Sequence, residues 1–148
     1  MKNIARKDLA YLAGFFDGEG SISIYRLGNN PNHIEIGIVQ TIRDPLLLFA
    51  IYFKGYIQCK GRTKGGLQSF SFRTAGRENV ADLLSVLYPY LIVKKAQIEL
   101  LNKLHKIKLN NNGKDERIAE KWEIAKNIIN INSAKGKHQF SKVLQKVI

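Results

Sequence analysis

Two carboxylates close the first apolar segment of this chain, in the run Leu12-Ala13-Gly14-Phe15-Phe16-Asp17-Gly18-Glu19-Gly20. Upstream, Asp8 precedes Leu9, Leu12, Ala13 and Phe16, which recur at helical spacing. The reading is a helix over about 7–16, closed by Gly18 and Gly20. Asp17 and Glu19 then stand at the negative pole of that helix, where carboxylates are disfavoured and unpaired carbonyls point the same way. A bound cation would relieve the conflict, and oxygen donors of this kind suit Mg2+. By physics alone, a helix-ending turn with incidental acids explains the segment equally well. The same helix carries Ala10, Ala13 and Gly14, small residues that let another backbone come close.

The charge balance points to the kind of partner. Across 148 residues, 24 Lys and Arg outweigh 12 Asp and Glu, for a net charge of +12. Clustered cations of this density attract and bind phosphates by displacing counterions. Between Pro45 and Arg77 lie Lys54, Lys60, Arg62, Lys64, Arg73 and Arg77 with no acid among them. From Ser133 onward Lys135, Lys137, Lys142 and Lys146 repeat the pattern. Cys59 is the lone cysteine, which excludes an internal disulfide or a cysteine-rich zinc site. His33, His105 and His138 are too widely spaced for a histidine metal motif. No stretch reads as a signal peptide or membrane span, so the expectation is a protein that is not secreted and does not engage a membrane. The wealth of Ile, Lys and Asn, with A/T-rich codons, suggests an organellar gene (chloroplast or mitochondrion), with a prokaryotic or phage cytoplasm as the alternative setting.

The elements that must position these groups follow from periodicity. Residues 21–26 alternate polar and apolar, 28–32 form a turn cluster, and 33–42 alternate again with Ile34, Ile36 and Ile38 on one face. This is a hairpin. Asp44 as N-cap and Pro45 at the first helical position open a second helix to about Phe53. Residues 56–62 and 67–74 make a second hairpin across Lys64-Gly65-Gly66, and a third helix covers 77–87 before Pro89. A fourth spans about 93–109, with Leu100, Leu101, Leu104 and Ile107 as its apolar side. After the loop 110–114, a fifth carries Ile118, Trp122, Ala125, Ile128 and Ile129, and a short helix is possible beyond Gly136. The expected fold is α+β: an α-β-β-α-β-β-α core with one four-stranded antiparallel sheet plus C-terminal helices. The whole of 1–148 reads as a single domain, its core about 7–109 and its helical extension about 115–148.

Strict alternation in the second hairpin puts Tyr56, Gln58, Lys60 and Arg62 on one face, with Ser69, Ser71 and Arg73 on the partner strand. Such a face can reach base edges and phosphates in a major groove. An ordinary solvated face would look the same, but the net charge favours DNA. Grouped with this surface are Lys64 in the turn and Ser23, Tyr25 and Arg26 on the first hairpin.

The nine-residue run resembles the motif that names the LAGLIDADG homing endonucleases, matching at all nine positions if Phe stands for an aliphatic and Glu for the last Asp. The order of elements is also similar to that family's core, over about 9–109. The resemblance implies a metal-dependent endodeoxyribonuclease that cuts both strands of a long, near-palindromic duplex, leaving short 3′ overhangs across the minor groove. It implies that Glu19 is the catalytic metal ligand and that the Gly18 carbonyl helps to hold the metal. Mg2+ is the expected ion, with Mn2+ possible and Ca2+ bound without efficient cleavage. Gln40 is similar to the residue that positions the nucleophilic water, Lys94 to a basic residue beside the site, and Arg43 to an additional basic group. One motif per chain implies a homodimer whose motif helices pack side by side through Ala10, Ala13, Gly14 and Asp17. Glu at position 19 keeps the charge and adds a methylene. The rival expectation is a non-cleaving relative, an RNA-splicing maturase or a DNA-binding regulator.

Overall fold

Alternating isoleucines build the sheet. Ile22 and Ile24 on the first strand and Ile34, Ile36 and Ile38 on the second are buried, while the residues between them are not. A computed structural model describes residues 4–27, 30–107 and 117–132. Its elements run α1 (Arg6–Glu19), β1 (Gly20–Leu27), β2 (Asn30–Gln40), α2 (Asp44–Tyr52), β3 (Tyr56–Arg62), β4 (Gln68–Ala75), α3 (Arg77–Leu87), a 3-10 turn (Tyr88–Tyr90), α4 (Lys95–Lys106) and α5 (Arg117–Asn132). The architecture is α+β, and the strands form one four-stranded sheet in the order β1-β2-β4-β3. Residues 28–29, 108–116 and everything from 133 onward, including the expected tail helix and the C-terminal lysines, lie outside the described residues.

Two compact units divide the chain. The first comprises residues 1–23 and 34–95. In it α1 packs against α2, α3 and the 3-10 turn, α2 lies on β3 and β4, and α3 lies on β4. Phe49 is the hub: its ring meets Phe15, Phe53 and Phe72 at centroid separations of 6.3, 6.2 and 5.6 Å, tying α1, α2 and β4 together. The Tyr52 hydroxyl at the end of α2 donates to Asp8 near the start of α1 at 2.8 Å, and this hydrogen bond is the main reason the Tyr52 pKa lies above its usual value. The second unit comprises 24–33 and 96–148. There Ile98, Leu101 and Leu104 of α4 and Ala125 and Ile128 of α5 are buried, and Gln97 Nε2 donates to the Ile128 carbonyl at 3.3 Å.

Two expected helix limits and one expected buried stripe need correction. α1 runs through Asp17, Gly18 and Glu19 rather than stopping near Phe16, and closes where the Gly20 amide donates to the Phe16 carbonyl. α2 is capped by Arg43, whose carbonyl accepts from Leu46 and Leu47, so Asp44 is inside the first turn and not at the N-cap. In the C-terminal helices the buried stripe is rotated. Gln97 and Ile98 are covered while Leu100 and Ile107 are half-exposed, and Lys121 is buried while Ile129 is 44% exposed.

Gly20 is required by close approach. A Cβ there would lie 2.1 Å from the buried Phe16 ring and 2.6 Å from the Phe16 carbonyl oxygen. Gly20→Ala is expected to cost about 1–3 kcal/mol, read as a lower urea midpoint. An unchanged midpoint would show that the Phe16 ring yields freely.

Candidate active site and nucleic-acid face

The two motif acids have different fates. Asp17 is half-buried, and its carboxylate accepts the backbone amides of Ile92, Val93 and Lys94 at 2.5, 3.1 and 3.0 Å. Three consecutive amides form a small anion-binding nest, which settles this charge within the chain. Its carbonyl accepts from Lys94 Nζ at 2.8 Å. Asp17 was expected at a helix–helix interface. Within the chain it fastens the segment leading into α4 to the end of α1. Asp17→Ala should lower stability by about 1–3 kcal/mol, measurable by denaturant unfolding, and an unaltered midpoint would mark the clamp as peripheral.

Glu19 receives no such compensation. It is the last residue of α1, exposed, and no hydrogen bond or ion pair engages it among the described residues. Gly18 beside it is exposed, and its carbonyl has no amide four residues on within the helix. Oxygen donors at a helix C-terminus fit a hard divalent cation. Among the described residues no three His, Cys, Asp or Glu side chains gather in a way that could hold a metal ion.

The other expected site residues surround this end of the sheet. Lys94 is only 7% exposed, with its ammonium 5.7 Å from the centre of the Phe16 ring. Its bond to the Asp17 carbonyl, two residues before Glu19, places a cation at the negative pole of α1. Ser21 Oγ donates to the Gly37 carbonyl at 2.9 Å, fixing β1 beside β2. Stepping back from Ser21 to Glu19 therefore runs the same way as stepping forward from Gly37 to Gln40. Gln40 ends β2 opposite Phe70, and the Arg43 guanidinium lies 6.0 Å over the Phe70 ring. Glu19, Gln40, Arg43 and Lys94 thus belong to one end of the fold.

On α1, Ala10, Gly14 and Gly18 are exposed at four-residue spacing and form an open strip, with space around Gly14 and Gly18. Ala13 does not share it. Expected at the interface, it is fully buried with Leu12 and Phe16, because its position on the helix faces the core.

The second hairpin departs from strict alternation. Gln58 pairs with Ser71 and Cys59 with Phe70, but Gly61 then pairs with Ser69, leaving Lys60 as the extra residue of a bulge. Past the bulge Arg62 pairs with Gln68, so it falls on the Phe70 and Phe72 side, away from Tyr56 and Gln58. The expected shared face for Arg62 is corrected accordingly. The bulge is held by Ser69 Oγ and Gln68 Nε2, which donate to the Gly61 carbonyl at 3.0 and 2.7 Å. Ser69 is therefore committed within the hairpin. Ser71 is fully buried in the central strand rather than presented to solvent. Arg73 is ion-paired to Glu35, an acid the expected DNA face did not include. Tyr56, Gln58, Lys60 and Lys64 remain exposed, Ser23 is half-buried, and Tyr25 is exposed with its ring 6.1 Å from that of His33. The Arg26 side chain lies outside the described residues.

The LAGLIDADG endonuclease family model matches residues 12–104, from the first Leu of the motif to the buried Leu104 of α4. The chain belongs to the LAGLIDADG endonuclease family. No curated protein sequence matches it. Among solved structures, this LAGLIDADG chain is similar to the homing endonuclease I-CvuI in complex with its target in the presence of Ca, with a TM-score of 0.66 and 24% identity over 95% of this chain and 94% of that one. It is also similar to I-CvuI with the I-CreI target in the presence of Mg, the DNA not cleaved, at TM-score 0.63 and 24% identity over 83% and 80%. A third likeness is to the LAGLIDADG meganuclease I-AabMI bound to uncleaved DNA, with TM-score 0.57 and 27% identity over 81% of this chain and 42% of that one. The fold of this family member is the one those enzymes share.

Two features of the LAGLIDADG chain had no clear mark in residue type alone. The Asp17 clamp joins positions 75 or more apart, beyond the reach of local pattern. The Glu35–Arg73 pair depends on the register of β2 against β4, which joins positions 38 apart. Among the described residues no helix is long and apolar enough to cross a membrane.

Proposed function

We propose that this chain is a site-specific homing endonuclease that hydrolyses both strands of a long, near-palindromic DNA duplex as a homodimer, using a divalent metal. The carrying observation is Glu19: an uncompensated, exposed carboxylate at the end of α1, beside an open strip of Ala10, Gly14 and Gly18. Packing two such strips together would bring two Glu19 residues to one place and build a ligand set not found among the described residues of a single chain. The match to 42% of I-AabMI supports this, since two copies of this chain would supply that protein's length.

Glu19 and the Gly18 carbonyl would hold Mg2+, or Mn2+ in its place, which when bound neutralises phosphate charge and acidifies water. Lys94 sets a fixed positive charge at the end of α1 and offsets the negative charge that builds during hydrolysis. Gln40, with one acceptor and two donors, orients a water at the end of β2, and Arg43 adds charge over Phe70. Tyr56, Gln58, Lys60 and Lys64 offer polar and basic contacts along the hairpin. The abundance of Ile, Lys and Asn supports an organellar setting, and the motif's resemblance supports an intron-encoded origin.

The test is to incubate the full chain with a random-sequence duplex library in Mg2+ and sequence the new ends. Enrichment of one near-palindromic sequence cut on both strands is expected. Random nicking, or intact DNA under conditions where the protein is folded, would contradict the reading.

A further inference from the structure

On the face of β4 opposite its buried phenylalanine Phe72, Arg73 does not stand free. Its Nη1 donates to Glu35 Oε1 on the neighbouring strand. The register explains the reach. Arg73 lies opposite Gly37 on β2, and Glu35 opposite Ala75, so the arginine crosses the bare glycine to a diagonal partner. A side chain at position 37 would occupy that path, and Ser21 Oγ already lies 3.3 Å from where its Cβ would be. The side chains of Arg73 and Glu35 are 26% and 14% exposed. Arg73 Nε is buried without a hydrogen-bond partner, as is Ser71 Oγ two residues earlier on the same face. Those two atoms are covered, so the part of Arg73 that remains within reach of a ligand is the tip of its guanidinium, held in a fixed direction by Glu35.

We propose that Arg73 reads a guanine in each half of the target, and that Glu35 is the positioning residue that makes it a base reader rather than a phosphate contact. This rests on the reading of the sheet as a DNA-contacting surface. A phosphate approaching Arg73 meets the Glu35 carboxylate as well, and the repulsion cancels much of the attraction. A base edge carries no net charge and escapes that penalty. With one Nη1 hydrogen on Glu35, the outer hydrogens of Nη1 and Nη2 still form a fork that matches guanine O6 and N7. A carboxylate that fixes the guanidinium plane reduces the freedom lost on binding. In a symmetric dimer the guanine would appear at mirror positions of the two half-sites.

The experiment is a binding selection from a random duplex library, using the full-length wild type and the variants Arg73→Lys and Glu35→Gln. Melting curves would be recorded for each. The wild type should select one G·C pair at mirror positions. Arg73→Lys keeps the charge and the ion pair but lacks the fork, and should lose that preference by roughly 5- to 150-fold while preferences elsewhere persist. Glu35→Gln should weaken the same preference and steepen the salt dependence of affinity by about one unit per copy, as a freed cation turns to phosphate. A uniform loss of affinity with unchanged preference in Arg73→Lys would overturn the proposal. Unchanged preference and salt slope in Glu35→Gln would remove Glu35 as the orienting group. A wild type that selects no sequence would overturn the DNA-reading function itself, a result distinct from selection without a position sensitive to Arg73.

Discussion

Glu19→Gln is expected to abolish cleavage while leaving DNA binding intact. The substitution keeps the shape of the side chain and removes the charge on which the proposed metal binding would depend. Cutting in Mg2+ should fall by at least about 1,000-fold, equivalent to roughly 4 kcal/mol of lost transition-state stabilisation. Affinity for the target should be unchanged or tighter, because a negative charge is removed from the neighbourhood of the phosphates. Stability without metal should not drop, since Glu19 is exposed, makes no bond among the described residues and sits at the unfavourable pole of α1. Wild-type protein in Ca2+ should behave in the same way, binding without efficient cutting. Cleavage assays alongside gel shifts separate the two activities. A Glu19→Gln protein that cuts both strands would place the chemistry elsewhere.

Gly14→Leu should act in the opposite part of the ledger, leaving the single chain sound and destroying the assembly. A Cβ at Gly14 meets nothing within 4 Å, so the protomer has room for a larger side chain. Replacing a helical glycine also removes a backbone-entropy penalty of about 1 kcal/mol. Leucine would nonetheless stand on the open strip between Ala10 and Gly18, where small residues allow two helices to approach more closely than the usual 8–10 Å or so between axes. Sedimentation should show a dimer for the wild type at micromolar concentration and a folded monomer for the variant, with dimer affinity lower by at least about 100-fold. Cleavage should be lost with the dimer. A variant that remains dimeric and active would move the interface off this face.

Much of the fold was legible because periodicity carried it. β3 over 56–62 and α3 over 77–87 have the expected limits, and the isoleucine alternation of β2 buries the expected side. The misreadings have local physical causes. Gly18 looked like a helix stop, but the helix continues into it and Glu19, its last turn held by Asp17 and Lys94. Arg62 was assigned to the face of Gln58 by counting in twos, and the bulge between Cys59 and Gly61 breaks that count. The isolated Gly61, at a φ of 102°, was the available warning. Ala13 passed for an interface residue on size, although Leu12 and Phe16 already placed that side of α1 toward the core. Of the candidate site, Glu19 and Lys94 were proposed on resemblance, yet the different surroundings of the two motif acids could not be read from it. That difference comes from three amides near residue 93, which reach Asp17 and not Glu19.

The central claim is that one cutting site is shared by two copies, each giving a Glu19. The most direct measurement mixes wild-type and Glu19→Gln protein at fixed total concentration, after subunit exchange, and follows double-strand cleavage of the selected target in Mg2+. If each cut needs two intact copies, activity follows the square of the wild-type fraction, so an equal mixture retains about a quarter of the full rate. A linear decline, with about half the rate retained at equal mixing, would show that a single copy carries a complete site and would contradict the account.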